Sequence, residues 1–203
     1  MKLTVTTFLT VDGVYQGPGG PDEDRRDGFT RGGWLAPFFD EEGAAFMNDV
    51  FTKVDAFLLG RETYDIFAGY WPTHADPSDP ISNSLNVLPK YVASNSLKDP
   101  SWGPTTVLSG DVSAAVAELK QKPGRELQVH GSGLLVRTLL EHDLVDELRL
   151  LIFPVIVGQG RRLFPDAGTA TKLDLAGSRT TGSGVTIQTY RPAGRPEFQT
   201  VGE

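Results

Sequence analysis

The chain has 203 residues, a net charge of -7, 39% hydrophobic and 22% charged residues and no cysteine; one α/β domain of that length buries a sizeable core without covalent staples. Disulfides, thiolate metal sites and cysteine nucleophiles are excluded, and three histidines, His74, His130 and His142, argue against a histidine-rich metal site, so no metal is expected. A sequence pI near 5.0 removes any general attraction for nucleic acid or anionic membranes.

Residues 3–11 (LTVTTFLTV) are β-branched and apolar and predict a buried strand that ends at the turn Asp12-Gly13. Residues 16–33 are rich in Gly, Pro and charge and predict a long irregular loop. Residues 41–53 carry Ala45, Phe46, Val50 and Phe51 at helical spacing. The apolar run from Asp55 to Gly60 predicts a buried parallel strand, and Arg61–Phe67 the first turns of another helix. Trp71–Asn83 is full of Pro, Asp and Ser and reads as a loop, with a short helix at 84–88.

Strands are predicted from Lys90 to Ser94 and from Thr105 to Ser109, then an amphipathic helix over Val112–Lys122, stopped by Pro123-Gly124. Glu126–His130 predicts a strand running into Gly131-Ser132-Gly133, and Leu134–Glu141 a helix broken by His142-Asp143. Val145–Val157 is largely a strand interrupted by Pro154, and Leu173–Ser178 with Val185–Tyr190 predicts a hairpin. This alternation predicts an α/β fold with a mostly parallel central sheet, helices on both faces and an antiparallel C-terminal edge. Residues 1–192 form one domain in this reading, followed by a flexible polar tail at 193–203. The N-terminal run MKLTVTTFLTVDGVY lacks the continuous apolar stretch of a signal peptide, and no segment is apolar for long enough to span a bilayer, so a cytoplasmic protein is expected.

Chemistry is expected where strands hand over to helices. A strand ending in Gly60 and opening into a helix leaves free amides for an anion, and Arg61 adds a forked cation suited to phosphate; a plain turn with a surface arginine is the competing reading. Gly131-Ser132-Gly133 lets a ligand approach the backbone before the next helix, although close strand–helix packing also explains such glycines. Ser94-Asn95-Ser96 and Leu108-Ser109-Gly110 supply small polar groups at two further strand ends, where ordinary turns use them too. In an open α/β sheet these ends lie along one edge, where ligands bind. The spacing is not a G-x-G-x-x-G fingerprint and there is no Walker A motif.

Taken in order, several segments resemble the dihydrofolate-reductase-like superfamily, and more closely the stand-alone proteins similar to the C-terminal reductase domain of bacterial riboflavin biosynthesis. They are Thr10–Gly13, Asp55–Tyr64, Val129–Gly133, Leu144–Leu148 and Phe153–Gly160. The resemblance implies a three-layer dihydrofolate-reductase-like fold, NADPH as cofactor and a homodimer. It implies that Gly60, Arg61, Glu62 and Thr63 lie on the cofactor phosphates and that Ser94 and Asn95 lie near the adenosine 2′-phosphate. Gly131, Ser132, Gly133 and Leu134 then pass under the pyrophosphate.

The nicotinamide would point toward Thr10–Val14 and the loop 16–39, with Asp12 as the candidate catalytic polar contact. Trp34, Phe38, Phe46 and Trp71 are candidate walls of a substrate pocket. The expected activity is hydride transfer to a small pterin- or pyrimidine-like heterocycle or to a carbonyl. Two departures stand out. The helix position where dihydrofolate reductases keep a carboxylate falls near Ala44, flanked by Asp40, Glu41, Glu42 and Asp49. Where the riboflavin-pathway reductases carry an arginine, only Lys53 is basic. A nucleotide- or pterin-binding module without turnover is the main alternative. A serine hydrolase built on Ser132 with His130 or His142, and a structural dimerisation protein, are the others.

Overall fold

The computed structural model describes residues 1–202 and contains one eight-stranded sheet in the order β4-β3-β2-β5-β1-β6-β8-β7. The strands are β1 (Lys2–Thr10), β2 (Val54–Gly60), β3 (Lys90–Ala93), β4 (Thr105–Leu108), β5 (Glu126–His130), β6 (Glu147–Phe153), β7 (Leu173–Thr180) and β8 (Thr186–Pro192). The helices are α1 (Glu41–Phe51), α2 (Arg61–Tyr70), α3 (Pro80–Val87), α4 (Val112–Gln121) and α5 (Gly133–Glu141). The six strands from β4 to β6 pair in parallel; β8 and β7 close the C-terminal edge antiparallel. This is the sheet that the alternation of elements predicts.

Two apolar cores flank the sheet. Phe51, Phe57, Leu85, Phe153 and Ile187 pack on the face of α1 and α3, and Leu3, Val5, Leu58, Leu127 and Leu139 on the face of α4 and α5. At about 25 cal/mol per Å2 of apolar surface, this two-sided burial is the dominant stabilising contribution. The interior is not wholly apolar. Arg149, buried at the N-terminal end of β6, sits 2.8 Å from Glu126 and 2.7 Å from Glu147. Buried Lys90 donates to the carbonyls of Leu85 and Leu88 at the end of α3 and lies 4.4 Å from the Trp102 ring centroid. Burial pulls its ammonium down to about 8.

Two segments differ from expectation. The stretch expected to be a loop, Trp71–Asn83, holds a 3-10 turn at Trp71–His74 and then α3 from Pro80. The Asp79 carboxylate accepts from the amides of Ile81 and Ser82, and Pro80 stands at the first helical position, where its missing N–H costs nothing. The composition of a loop therefore concealed a helix start. The strand expected to run to Val157 stops at Phe153, because Pro154 has no N–H to continue the ladder. Among the described residues no helix is long and apolar enough to cross a membrane.

Candidate functional site

Parallel register brings the C-terminal ends of the central strands to one edge. Gly60 pairs with Ala93 and Ala93 with Leu108, while His130, the last residue of β5, pairs with Thr6. β1 continues past that point to Thr10, paired only with β6. Its flank toward β5 is open from Thr7 onward, and a cleft of ≈1930 Å3 forms there. Typical small-ligand sites are roughly 300–1000 Å3, so this one has room for two ligands end to end.

The turns at Gly60 and Gly131–Gly133 touch. The Ser132 hydroxyl accepts from the Gly60 amide at 3.0 Å and donates to the His130 carbonyl at 2.9 Å. The Ser132 amide donates to the Thr63 hydroxyl at 3.1 Å. Ser132 has φ +53° and Gly131 φ +54°, a left-handed pair that turns the chain sharply into α5. Gly133 is fixed by contact: a Cβ there would lie 2.5 Å from the Tyr15 ring.

Capping sets these two helices apart. Asp40, Asp79 and Asp111 cap α1, α3 and α4 with their carboxylates. The helices opening at the cleft, α2 after Gly60 and α5 after Ser132, have no side-chain cap. Their first amides and positive dipole ends face the same hollow, so an anion can take the place that aspartate fills elsewhere. A diphosphate fits this donor set.

Arg61 stands at the rim, paired with Asp65 at 2.7 Å, with Nη1 3.5 Å from the Ser96 hydroxyl. Ser94 and Asn95 lie on the next strand end. The Ser94 hydroxyl accepts from the amides of Ser96 and Leu97, and Asn95 accepts from the Gly110 amide. Glu62 is held by Arg161 at 2.6 Å and by Arg26 at 2.9 Å, which ties the glycine-rich loop to the start of α2. Leu134 is exposed and lines the cleft with Gly60, Arg61, Glu62, Thr63 and Gly131–Gly133.

The expected substrate walls are distributed differently. Trp71 lines the cleft. Trp34 is buried core, its indole donating to the Gln16 carbonyl and its ring edge-on to Phe153. Phe38 packs into the same core beneath the Ser183 turn, and Phe46 lies under the Arg179 guanidinium on the β7 side. Phe8, Leu35, Phe39, Met47, Phe51 and Phe67 line the cleft instead. Met47 follows Phe46 directly, and one residue of helix turns the side chain by about 100°, so only the seating of α1 on the sheet decides which of the two faces the cleft.

Asp12 is engaged elsewhere. Its carboxylate accepts from the Thr10 hydroxyl at 2.6 Å and from the amides of Val157 and Gly158 at 3.2 and 2.9 Å. Partial burial pushes this carboxyl up, but the Thr10 and backbone donors outweigh it and hold it below the ordinary aspartate range. The group clasps the segment after β6 to the end of β1. Asp12→Asn is expected to cost about 1.5–3 kcal/mol and lower the melting temperature by several degrees, while NADPH affinity stays within about twofold. A large loss of affinity with unchanged stability would return Asp12 to the site.

His130 is buried and stacks on Phe51 with ring centroids 5.0 Å apart. Its Nε2 lies 3.1 Å from the Gln128 side-chain oxygen. Burial pulls its imidazole down to about 4, with the Arg149 charge adding to the effect. It is neutral at pH 7 and makes no hydrogen bond to the Ser132 hydroxyl, whose two partners are backbone groups. This geometry gives Ser132 no general base.

An open, mostly parallel sheet with a cleft at its strand ends and two uncapped helix termini facing it defines a domain of the dihydrofolate-reductase-like fold. Residues 1–187 match the RibD C-terminal domain family, and the chain belongs to it. It is 30% identical over 93% of its length to the uncharacterized Bacillus subtilis protein YyaP, of which the match covers 94%. A Shewanella sp. PV-4 structure described as a candidate riboflavin biosynthesis protein superposes with TM-score 0.72 at 23% identity, covering 95% of this chain and 99% of that one. The bifunctional diaminohydroxyphosphoribosylaminopyrimidine deaminase/5-amino-6-(5-phosphoribosylamino)uracil reductase of Thermotoga maritima superposes with TM-score 0.62 at 13% identity over 95% of this chain and 56% of its own.

Proposed function

We propose that the chain is an NADPH-dependent reductase that delivers a hydride to a small planar heterocycle or carbonyl compound. The observation that carries this reading is the pair of uncapped helix termini, α2 and α5, facing one cleft. Amides at the start of α2 and α5 would hold the diphosphate, with Gly131–Gly133 allowing close approach. Arg61 and the serines after β3 suit a 2′-phosphate at the rim. NADPH supplies the hydride, and the protein orients the two reactants and excludes water. Membership of the RibD C-terminal domain family supports a reductase.

Fluorescence titration with NADPH and NADH tests the reading: saturable binding of NADPH is expected, and saturation by neither dinucleotide would refute it. The α1 carboxylates favour a second reading, a binding module without turnover. Asp49 pairs with Lys53 on the surface, Asp40 caps its own helix and Glu42 accepts from the Gly182 amide; neither these nor Glu41 lines the cleft. NADPH consumption across a panel of pterins, pyrimidines and quinones separates the two, because a pure binder consumes none.

A further inference from the structure

The two halves of the cleft differ in chemistry. The half along α2 and α5 is polar and rich in amides. The half under α1 is built from Phe8, Met47, Phe51, Trp71, Ile81 and Leu85. Among the described residues, β1, α1, α3 and the 35–39 segment contribute no ionisable side chain to the lining. His130, the titratable group deepest in that half, is neutral and bonded to Gln128. The charges that the glycine-rich loop brings to the cleft are already matched. Arg25 pairs with Asp22, Arg26 with Asp24 and Glu62, and Glu23 accepts from the Gly19 and Gly20 amides.

Two hydroxyls of β1 at the cleft, those of Thr6 and Thr7, have no partner, and strand alternation puts only Thr6 on the face of the apolar half. Thr6 is 3% exposed, lines the cleft and leaves its hydroxyl without a hydrogen bond. By strand alternation it shares the face of Phe8, opposite Val5 and Leu9. A buried hydroxyl without a partner is costly, and a ligand carbonyl oxygen would satisfy it. An anionic ligand would find no cation in this half and would pay full desolvation.

We propose that the substrate is an uncharged, flat, largely apolar carbonyl acceptor of the quinone or conjugated-enone class, its oxygen hydrogen-bonded by Thr6. The inference rests on the reductase reading above and narrows its substrate. A pterin with an acidic tail or a phosphorylated ribosylaminopyrimidine is excluded from this half. The acceptor gains a hydride from the dihydronicotinamide, one C–H bond breaking with its electron pair, and one proton from water, since no acidic side chain lines this half. The acceptor is reduced by two electrons and the nicotinamide is oxidised to the pyridinium.

Calorimetric titration of the NADP-loaded protein tests this. The probes are 2-methyl-1,4-naphthoquinone, cyclohexenone, dihydrofolate and a phosphorylated ribosylaminopyrimidine. Saturation by a neutral probe and by neither anion supports the proposal. Saturation by an anion, or by no probe, overturns it, provided the NADPH titration has succeeded; failure of that titration sinks the reductase reading instead. Thr6→Val is expected to weaken quinone binding roughly five- to tenfold with NADPH affinity unchanged. Met47→Lys, which puts a cation into the apolar half, is expected to lower quinone affinity at least tenfold. If Met47→Lys fails to fold, Thr6→Val decides: unchanged quinone affinity there overturns the assigned contact.

Discussion

Gly60→Asp is expected to stay folded and to bind NADPH roughly a hundredfold more weakly than the parent. Gly60 has φ -72° and ψ 156°, extended backbone that any residue adopts, and a Cβ there meets Ser132 at an ordinary 3.5 Å. The substitution gives α2 the carboxylate cap that α1, α3 and α4 already carry, a change worth up to about 1 kcal/mol of helix stability. It also puts a negative charge where the phosphates are proposed to sit. Two unit charges about 4 Å apart at an effective dielectric of about 20 repel by about 4 kcal/mol. Solvent at the cleft mouth weakens this, and about 2.8 kcal/mol already corresponds to a hundredfold in Kd. Gly60→Ala, sterically similar and uncharged, is the control and should change affinity only a few-fold. Parent-like NADPH binding by Gly60→Asp would remove the phosphates from the start of α2.

The largest loss of stability is expected from Arg149→Met. Arg149 donates to both oxygens of Glu126 and to Glu147, and Lys2 completes the group from β1. Removing the central cation leaves buried Glu126 without a cation and Glu147 with Lys2 alone, and breaking such a buried network costs about 3–5 kcal/mol. In a chain of this size that lowers the melting temperature by about 6–20 °C. Burial pushes both glutamates up, but it is outweighed by Arg149 with Gln128 and Thr4 at Glu126, and by Lys2 and then Arg149 at Glu147, so both are held below their ordinary 4.5. Such groups stabilise the fold above the unfolded value and lose that contribution as pH falls through the folded one. The deficit of Arg149→Met should therefore be widest near pH 7 and narrow below about pH 5. Denaturant unfolding at both pH values measures it, and an equal deficit at each would show that packing rather than charge is lost. Replacing Glu126, Arg149 and Glu147 together by apolar residues of similar volume should recover most of the loss.

The sheet was legible because β1 to β5 are short runs closed by Gly, Asp-Gly or Ser and β6 is closed by Pro154, and because helical periodicity separates the runs. The same punctuation marked Gly60 and Gly131–Gly133 as strand ends, and parallel pairing alone is enough to bring them together. The substrate half was less legible. Thr6 and Thr7 read as core strand residues. Their place on the cleft depends on β1 lying centrally and outrunning β5, a property of the sheet order. Trp34 and Phe38 are aromatic and near the loop, but Trp34 finds a partner for its indole in the Gln16 carbonyl, and that draws it into the core. Asp12 looked available because turn aspartates usually are; its acceptors are taken by amides nearly the whole chain away.

The central position of β1 also governs how the molecule comes into being. On one side Lys2 pairs with Glu126 and on the other Thr4 pairs with Glu147. β1 therefore leaves the ribosome well before either of its neighbours has been made. Closing such long loops comes before any reward from pairing, which slows folding and leaves an apolar strand without its ladder in the meantime. Nascent chains that end before β6 should stay open, and the native sheet should close in one late step when residues 147–153 arrive.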